Sequence, residues 1–346
     1  MSGLELPGDV RVALSHAAAY GLAAILSDAG TPGVTIAWTP ALDSRAVIAA
    51  AGREADAMAD LILDHARRHA QGDSWTAATT LATGAAAGTL SPRIKAASDG
   101  DAWAALTRAR RAAIDAQVAR RGWLDLALIG ALGEPAYWRF DAQGKGRPDE
   151  GASRWEMKTR NRGEDFVQHR LHKLALSVAR RDAGGVRDGI LGATAEDEVG
   201  GNAPDSRTAT GLAGPGPVDN VLAWCALWGL ALFPVVPRTG RPSETAGHGS
   251  ARTHGGPRRS WFHLPVPTRP VTLSRLETIL ASEQLADAAA AAATPGSERD
   301  LGVRSASEWL LDRGVGAIVR FPVGVFGSAS APERRALLGS VERLAR

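Results

Sequence analysis

VRVALSHAAAYGLAAILSDAGTPGVTIAW, residues 10–38, carries two periodicities in one stretch. Val12, Ala13, His16, Ala19, Tyr20 and Ala23 recur at helical spacing, and Gly30-Thr31-Pro32-Gly33 ends the run. Val34-Thr35-Ile36-Ala37-Trp38 then alternates as a strand does, and Pro40 closes it. A helix that feeds a strand this early sets the expected class. Helices and strands share the chain, giving an α+β fold.

Outward from this unit, residues 43 to 130 read as mostly helical. Asp43 or Ser44 is placed to cap a helix running towards His69, with Gly52 as its weak point. Asp101 can cap another that runs to Arg121, before Gly122. Between them Ser74 to Gly88 is small and polar, a loop or a loosely packed helix, and Leu124 to Leu132 is a short apolar run. From Tyr137 the character becomes mixed. Tyr137-Trp138-Arg139-Phe140 reads as a strand, 144–148 as a loop and Arg154 to Lys158 as a second short strand. In Phe166 to Arg181, Val167, Leu171, Leu174 and Val178 form a narrow apolar stripe, with His169, Arg170, Lys173, Ser177 and Arg180 on one flank. That pattern predicts a helix with one face in the core and a basic face outward.

Gly192 to Pro217 is a long stretch without periodicity, of the kind that is functional or disordered. Asp219 then opens an apolar helix, Asn220 to Leu230, with Trp224 and Trp228 one turn apart. Leu232 to Val236 reads as a buried strand, and Arg238 to Ser260, rich in Arg, Gly and Pro, as exposed and mobile. A strand at Trp261 to Leu264, a helix from Thr272 to Ala293, a short helix from Ser305 to Arg313 and a strand from Val315 to Val323 follow. Pro332 is placed to open a last helix. The chain thus divides into a helix-rich region, 1–135, with an early β-strand, and a mixed α+β region, 136–346, that carries both basic islands.

With 346 residues, about two domains are expected. Cys225 is the single cysteine, which excludes an internal disulfide and any zinc site built on paired cysteines, and fits a reducing compartment. Met1 to Val10 has no apolar run of the signal-peptide kind, and Val221 to Val236 is too short to span a bilayer. A cytoplasmic protein without a membrane partner is expected. The net charge of +3 is unevenly spread. Segment 151–190 has nine Lys or Arg against five Asp or Glu, and segment 238–275 has seven Arg against one Glu. Two basic islands on an acidic remainder point to an anionic partner.

The chemical motifs are sparse. His65 and His69 share a helical face, but no third metal ligand accompanies them, and a solvated surface is the plainer reading. Asp149 with Glu156 and Lys158 resembles the acidic pair plus lysine of metal-dependent nucleases, in which the acids hold Mg²⁺. The spacer is short and such triplets arise easily by chance. Residues 144–146 lack the rest of a phosphate loop, and no serine has a nucleophile-elbow context. Cys225, within an apolar helix, reads as a buried, inert thiol. No cofactor is expected.

The basic islands are the stronger signal. Their candidate nucleic-acid contacts are Arg170, Lys173, Arg180 and Arg181 on the helix, then Arg238, Arg241, Arg252, Arg258 and Arg259, with Trp261 as a stacking ring. A plain solvated surface with core tryptophans, or a structural protein binding an acidic protein partner, are the competing readings.

Two stretches carry a family likeness. One is Leu14-Ser15-His16-Ala17-Ala18-Ala19-Tyr20-Gly21-Leu22-Ala23-Ala24-Ile25-Leu26, followed by the strand ending Ile36-Ala37-Trp38. The other is residues 211–230, GLAGPGPVDNVLAWCALWGL, leading into Phe233-Pro234. Together they resemble the Csb-type proteins of type I CRISPR systems, subtype I-U, also called I-G. The resemblance implies a non-catalytic subunit of crRNA-guided interference, touching crRNA or target DNA and other Cas subunits. Base pairing would read the sequence and the protein would read backbone and shape. No functional residues carry over from the family, so the contact set above rests on charge and periodicity.

Overall fold

Two helices of small residues meet at the centre of the computed structural model. It describes residues 3–41, 43–81, 86–92, 100–134, 151–157, 165–206, 210–238, 243–252, 258–292, 301–328 and 331–344. Helix α1 (Ala13–Asp28) is buried on every side from Ala13 to Leu26. Helix α7 (Asn220–Gly229) is apolar all round and starts where expected, with the Asp219 carboxylate accepting from the Val221 N–H at 2.9 Å. Their backbones touch. A Cβ added at Gly21 would lie 1.7 Å from the Cys225 carbonyl oxygen, and one at Gly229 would lie 2.1 Å from that of Ala17. Only glycine at both points allows this approach.

A small antiparallel sheet flanks α1. Strands β1 (Leu4–Glu5), β2 (Thr35–Trp38), β3 (Ala46–Ala49) and β10 (Val271–Thr272) run in the order β1-β3-β2-β10. Ile36 lies opposite Ile48, and both are fully buried. Strand β3 occupies the place where the sequence suggests the start of a long helix. Ala46-Val47-Ile48-Ala49 alternates, and its neighbour β2 rewards extension. Gly52, at φ +67°, turns the chain before helix α2 (Ala55–Ala70).

Two further predicted loops or helices resolve differently. Strands β4 (Thr79–Leu81) and β5 (Ala86–Gly88) pair within the stretch read as a loop. Helices α3 (Gly100–Arg120) and α4 (Trp123–Leu132) follow as expected. Residues 154–157 lie outside any strand, and Tyr137 to Phe140 lie outside the described residues.

The stretch 166–181 is helical but not uniformly so. It opens with a π-helical turn, Val167–Leu171, and continues as α5 (His172–Ala179). The Asp165 carboxylate caps it, accepting from the N–H groups of Val167 and Gln168 at 3.0 Å each and from Gly88 and Ser91 on the β5 side. Helix α6 (Ala183–Leu191) follows, and α2 packs on α5 and α6. Gly192 to Pro217 has no regular element among its described residues, yet Asp197 organises it. Its carboxylate accepts from Gly200 N–H, Asn220 Nδ2 and the Ser206 hydroxyl.

The second sheet contains most of the remaining strands. Strands β8 (His248–Arg252), β9 (Arg258–Pro267), β11 (Val315–Ser328) and β12 (Ala331–Ala336) run in the order β12-β11-β9-β8, and β13 (Ser340–Arg343) also pairs with β11. The described part of the second basic island is therefore a hairpin arm and not the irregular loop the composition suggests. Pro332 does not open a helix. It sits in β12 opposite Gly327, near the start of an edge strand, where a missing N–H costs little. Strands β6 (Val235–Val236) and β7 (Glu244–Thr245) form a short hairpin, and Val236 is 47% exposed, so no buried strand runs from Leu232. The predicted helix Thr272 to Ala293 is two, α8 (Leu273–Leu280) and α9 (Glu283–Ala291), separated where Ser282 caps Leu285 N–H at 3.2 Å. Helix α10 (Leu301–Asp312) precedes β11.

One hydrophobic core joins residues from both sides of position 135, including Tyr20, Ile36, Trp228, Phe262 and Phe321. Position 135 therefore does not separate two cores. Among the described residues, no helix is long and apolar enough to cross a membrane.

Candidate nucleic-acid interface

Strand β8 is the outer strand of the second sheet, and a groove of about 1280 Å³ lies beside it. Its charged lining is Arg154, Arg259 and Arg334 against Glu244 and Glu283. Glu244 is matched by Arg238 at 2.5 Å, so the three arginines leave the groove cationic.

Local packing places these side chains. The Trp155 indole stacks on Phe262 with ring centroids 3.9 Å apart, leans on Phe233 and donates its N–H to the Ala246 carbonyl at 2.9 Å. That wedge fixes residues 153–157, and the Arg154 N–H donates to Thr245 Oγ1 at 3.1 Å. The Arg334 N–H donates to the Met157 carbonyl at 3.2 Å, bringing β12 to the same wall. Arg259, opposite Ala251 in the hairpin, is exposed.

The structure divides the sequence-derived contact set. Arg238 and Arg259 stand at the groove. Arg252 and Arg258 are register partners across β8 and β9, and Arg241 lies outside the described residues. Trp261 is not an open stacking ring. It lies against Gly249, and the Arg320 guanidinium sits 4.9 Å from its centroid.

The first island differs most from expectation. Lys173 and Arg180 are exposed, but Arg170 is 3% exposed and donates Nη1–H to Glu156 Oε1 at 3.0 Å. Arg181, with a side chain 7% exposed, bonds Asp219 at 2.8 Å and Glu198 at 2.8 and 2.9 Å. Burial works against its charge, yet those carboxylates outweigh it and raise its affinity for the proton. The outward basic face fails for a geometric reason. A helical wheel assumes 100° per residue, whereas the π turn adds a residue to one turn and rotates what precedes α5. Glu156 is thus a buried ion-pair partner, while Asp149 and Lys158 lie outside the described residues.

His65 and His69 are not a solvated face. Both are buried against Trp224 and Trp228. His69 Nδ1 faces the His65 carbonyl at 2.8 Å, and Nε2 faces Asp125 Oδ1 at 2.7 Å, which also accepts from Trp75 Nε1–H at 2.6 Å. Both ring nitrogens meet acceptors, so His69 donates from both and is an imidazolium beside the Asp125 carboxylate. Burial opposes the ionised Asp125, but the bonds from His69 and Trp75 hold its carboxyl below the ordinary range. Burial, with the charges of His69 and Arg68, keeps His65 neutral, well below its usual value. The sequence signal was the pair of tryptophans one turn apart on a helix apolar all round, which needs a partner face. Among the described residues, no three His, Cys, Asp or Glu groups gather to hold a metal. Cys225 is buried and its thiol is pushed up to about 12, the inert state expected.

No protein-family model matches the chain, and no curated protein does.

Proposed function

We propose that this chain is a cytoplasmic, non-catalytic subunit of type I CRISPR interference that holds the phosphate backbone of crRNA or target DNA in the groove beside β8. The observation that carries the reading is the convergence of Arg154, Arg259 and Arg334, from three separate parts of the sequence, on one groove. Charge of this kind recognises phosphate without reading bases. The resemblance of residues 14–26 and 211–230 to Csb-type proteins supplies the biological setting, with base pairing left to the guide.

Fluorescence anisotropy with labelled single-stranded RNA, single-stranded DNA and duplex DNA tests it, between about 50 and 200 mM salt, with and without Mg²⁺. Binding should weaken steeply with salt, need no Mg²⁺ and leave the strand intact. Replacing Arg259 and Arg334 together with Ala should weaken binding about tenfold and reduce the slope of log affinity against log salt by about 1.4 for a single strand. Unchanged affinity in that variant would remove the groove from the reading. Mg²⁺-dependent cleavage would replace it with the nuclease alternative.

A further inference from the structure

Three nitrogens at one point of the second sheet are buried with no hydrogen-bond partner among the described residues: Trp261 Nε1, His263 Nδ1 and Arg320 Nε. The strand register explains why they meet. His263 lies opposite Arg320, and Trp261 lies opposite Pro322, across β9 and β11. Positions i and i+2 on one strand, and the residues directly opposite, share a sheet face. The guanidinium of Arg320 covers the Trp261 ring, and His263, 3% exposed, lines the groove described above.

Buried donors in folded proteins are satisfied about nine times in ten, and three orphans side by side mark a missing acceptor. The acceptor must be anionic. Burial draws Arg320 below its ordinary value and Glu342 opposes this only through its field, because no described carboxylate lies within ion-pair distance of the guanidinium. It must also offer several oxygens, since an arginine fork, an imidazole N–H and an indole N–H converge on it. His263 is neutral and supplies one N–H, as burial and then the Arg320 charge push it down to about 4. A tetrahedral phosphate meets both demands, and the arginine fork matches it.

We infer that Trp261, His263 and Arg320 form an oxyanion seat on the groove wall that receives one phosphate group of the bound nucleic-acid strand. This rests on the nucleic-acid reading and adds to it the residues that fix the strand's position. It also changes the role of Trp261, which acts through its N–H and not through a stacked base. The groove arginines continue the same chemistry along the strand, as a polyphosphate requires and a lone carboxylate does not.

The test uses the full chain and Arg320→Met. The substitution should weaken binding of a short labelled single strand about tenfold and lower the salt slope by about 0.7, equally for all sequences. Its melting temperature should equal or exceed that of the wild type, because an uncompensated buried charge gives way to an apolar chain. A merely structural arginine would lose stability instead. Wild-type affinity and slope in Arg320→Met would overturn the seat and leave the groove reading standing. If the wild type binds no oligonucleotide, the groove reading fails, and inorganic phosphate decides the seat by itself. Phosphate should then move the His263 ring resonances in the wild type but not in Arg320→Met, and no movement overturns the proposal. Binding of a polyglutamate peptide without any phosphate response would assign the seat to a protein carboxylate and likewise overturn it. Should Arg320→Met fail to fold, His263→Gln should reproduce the loss of binding, and retention of full binding there would count against the seat.

Discussion

Replacing Gly21 with Ala tests the central packing argument. The new Cβ would sit 1.7 Å from the Cys225 carbonyl oxygen and 2.6 Å from the Gly229 nitrogen. An ordinary C···O contact is about 3.3 Å or more, so α1 and α7 must separate by about 1.6 Å. Both obstacles are backbone, so no side-chain rotation relieves them. A gap of even 0.5–1 Å forfeits about a quarter to a half of each dispersion contact, and overpacking a core typically costs about 1–3 kcal/mol. With both penalties the cost is about 4 kcal/mol, offset by about 1 kcal/mol from removing a helical glycine. The net loss of about 3 kcal/mol lowers Tm by about 6 °C in a chain of this size. Gly130→Ala is the control. It lies in α4 with nothing within 4 Å of its new Cβ, so it should gain about 1 kcal/mol. Urea and thermal unfolding of the two variants read the difference. A Gly21→Ala protein as stable as the wild type would refute the claim that the helix backbones are in contact.

Other measurements follow from the buried charges. Glu156→Gln leaves Arg170 without its carboxylate in the interior and should cost about 3 kcal/mol, while the double change Glu156→Gln with Arg170→Met should recover most of the loss in a urea titration. Stability should also fall as pH drops below about 6.5. His16 and His263 are pushed down to about 3 and about 4, and His65 is well below its ordinary value, so the unfolded chain takes up protons that the folded chain refuses. Each such group removes up to about 1.4 kcal/mol per pH unit, or about 4 kcal/mol for the three, between pH 6 and pH 5. Flat stability from pH 7 to pH 5 would contradict this burial. The Asp125 contribution is present above its unfolded value of 3.8 and is lost only below that, as pH falls through the lowered folded value.

The elements that were legible in the sequence are those whose reason is local. Residues 13–28 and 35–38 show their periods directly, and Asp219 before an apolar run announces α7. What was misread depends on distant partners. Residues 46–49 are too few to declare a strand until β2 lies beside them, and residues 331–336 become a strand only because β11 runs long enough to pair with them. Residues 248–252 and 258–260 have the composition of a loop, yet the ladder with β9 and the core face of Phe262 hold them extended. His65 and His69 looked like surface because their neighbours Asp64, Arg67 and Arg68 are charged; the helix turns those outward while the two rings meet Trp224 and Trp228, more than 150 residues away.

Charge was the least transferable of the sequence signals, and the reason bears on function. Counting Lys and Arg treats every cation as solvated. Arg170 and Arg181 belong to a visibly basic helix, but each is buried beside carboxylates, so neither has charge to offer a ligand. Arg320 sits alone in Val315-Gly316-Ala317-Ile318-Val319-Arg320-Phe321-Pro322-Val323 and adds nothing to either island. An arginine in the middle of an otherwise apolar strand is the more informative residue. Burying it costs several kcal/mol unless something anionic compensates, and a fold under selection for stability alone would put a hydrophobic residue there. The orphan donors of Trp261 and His263 beside it point the same way, towards an acceptor that arrives with a ligand. A search for binding residues in chains of this kind is therefore better aimed at isolated cations within apolar strands than at runs of basic residues on a helix.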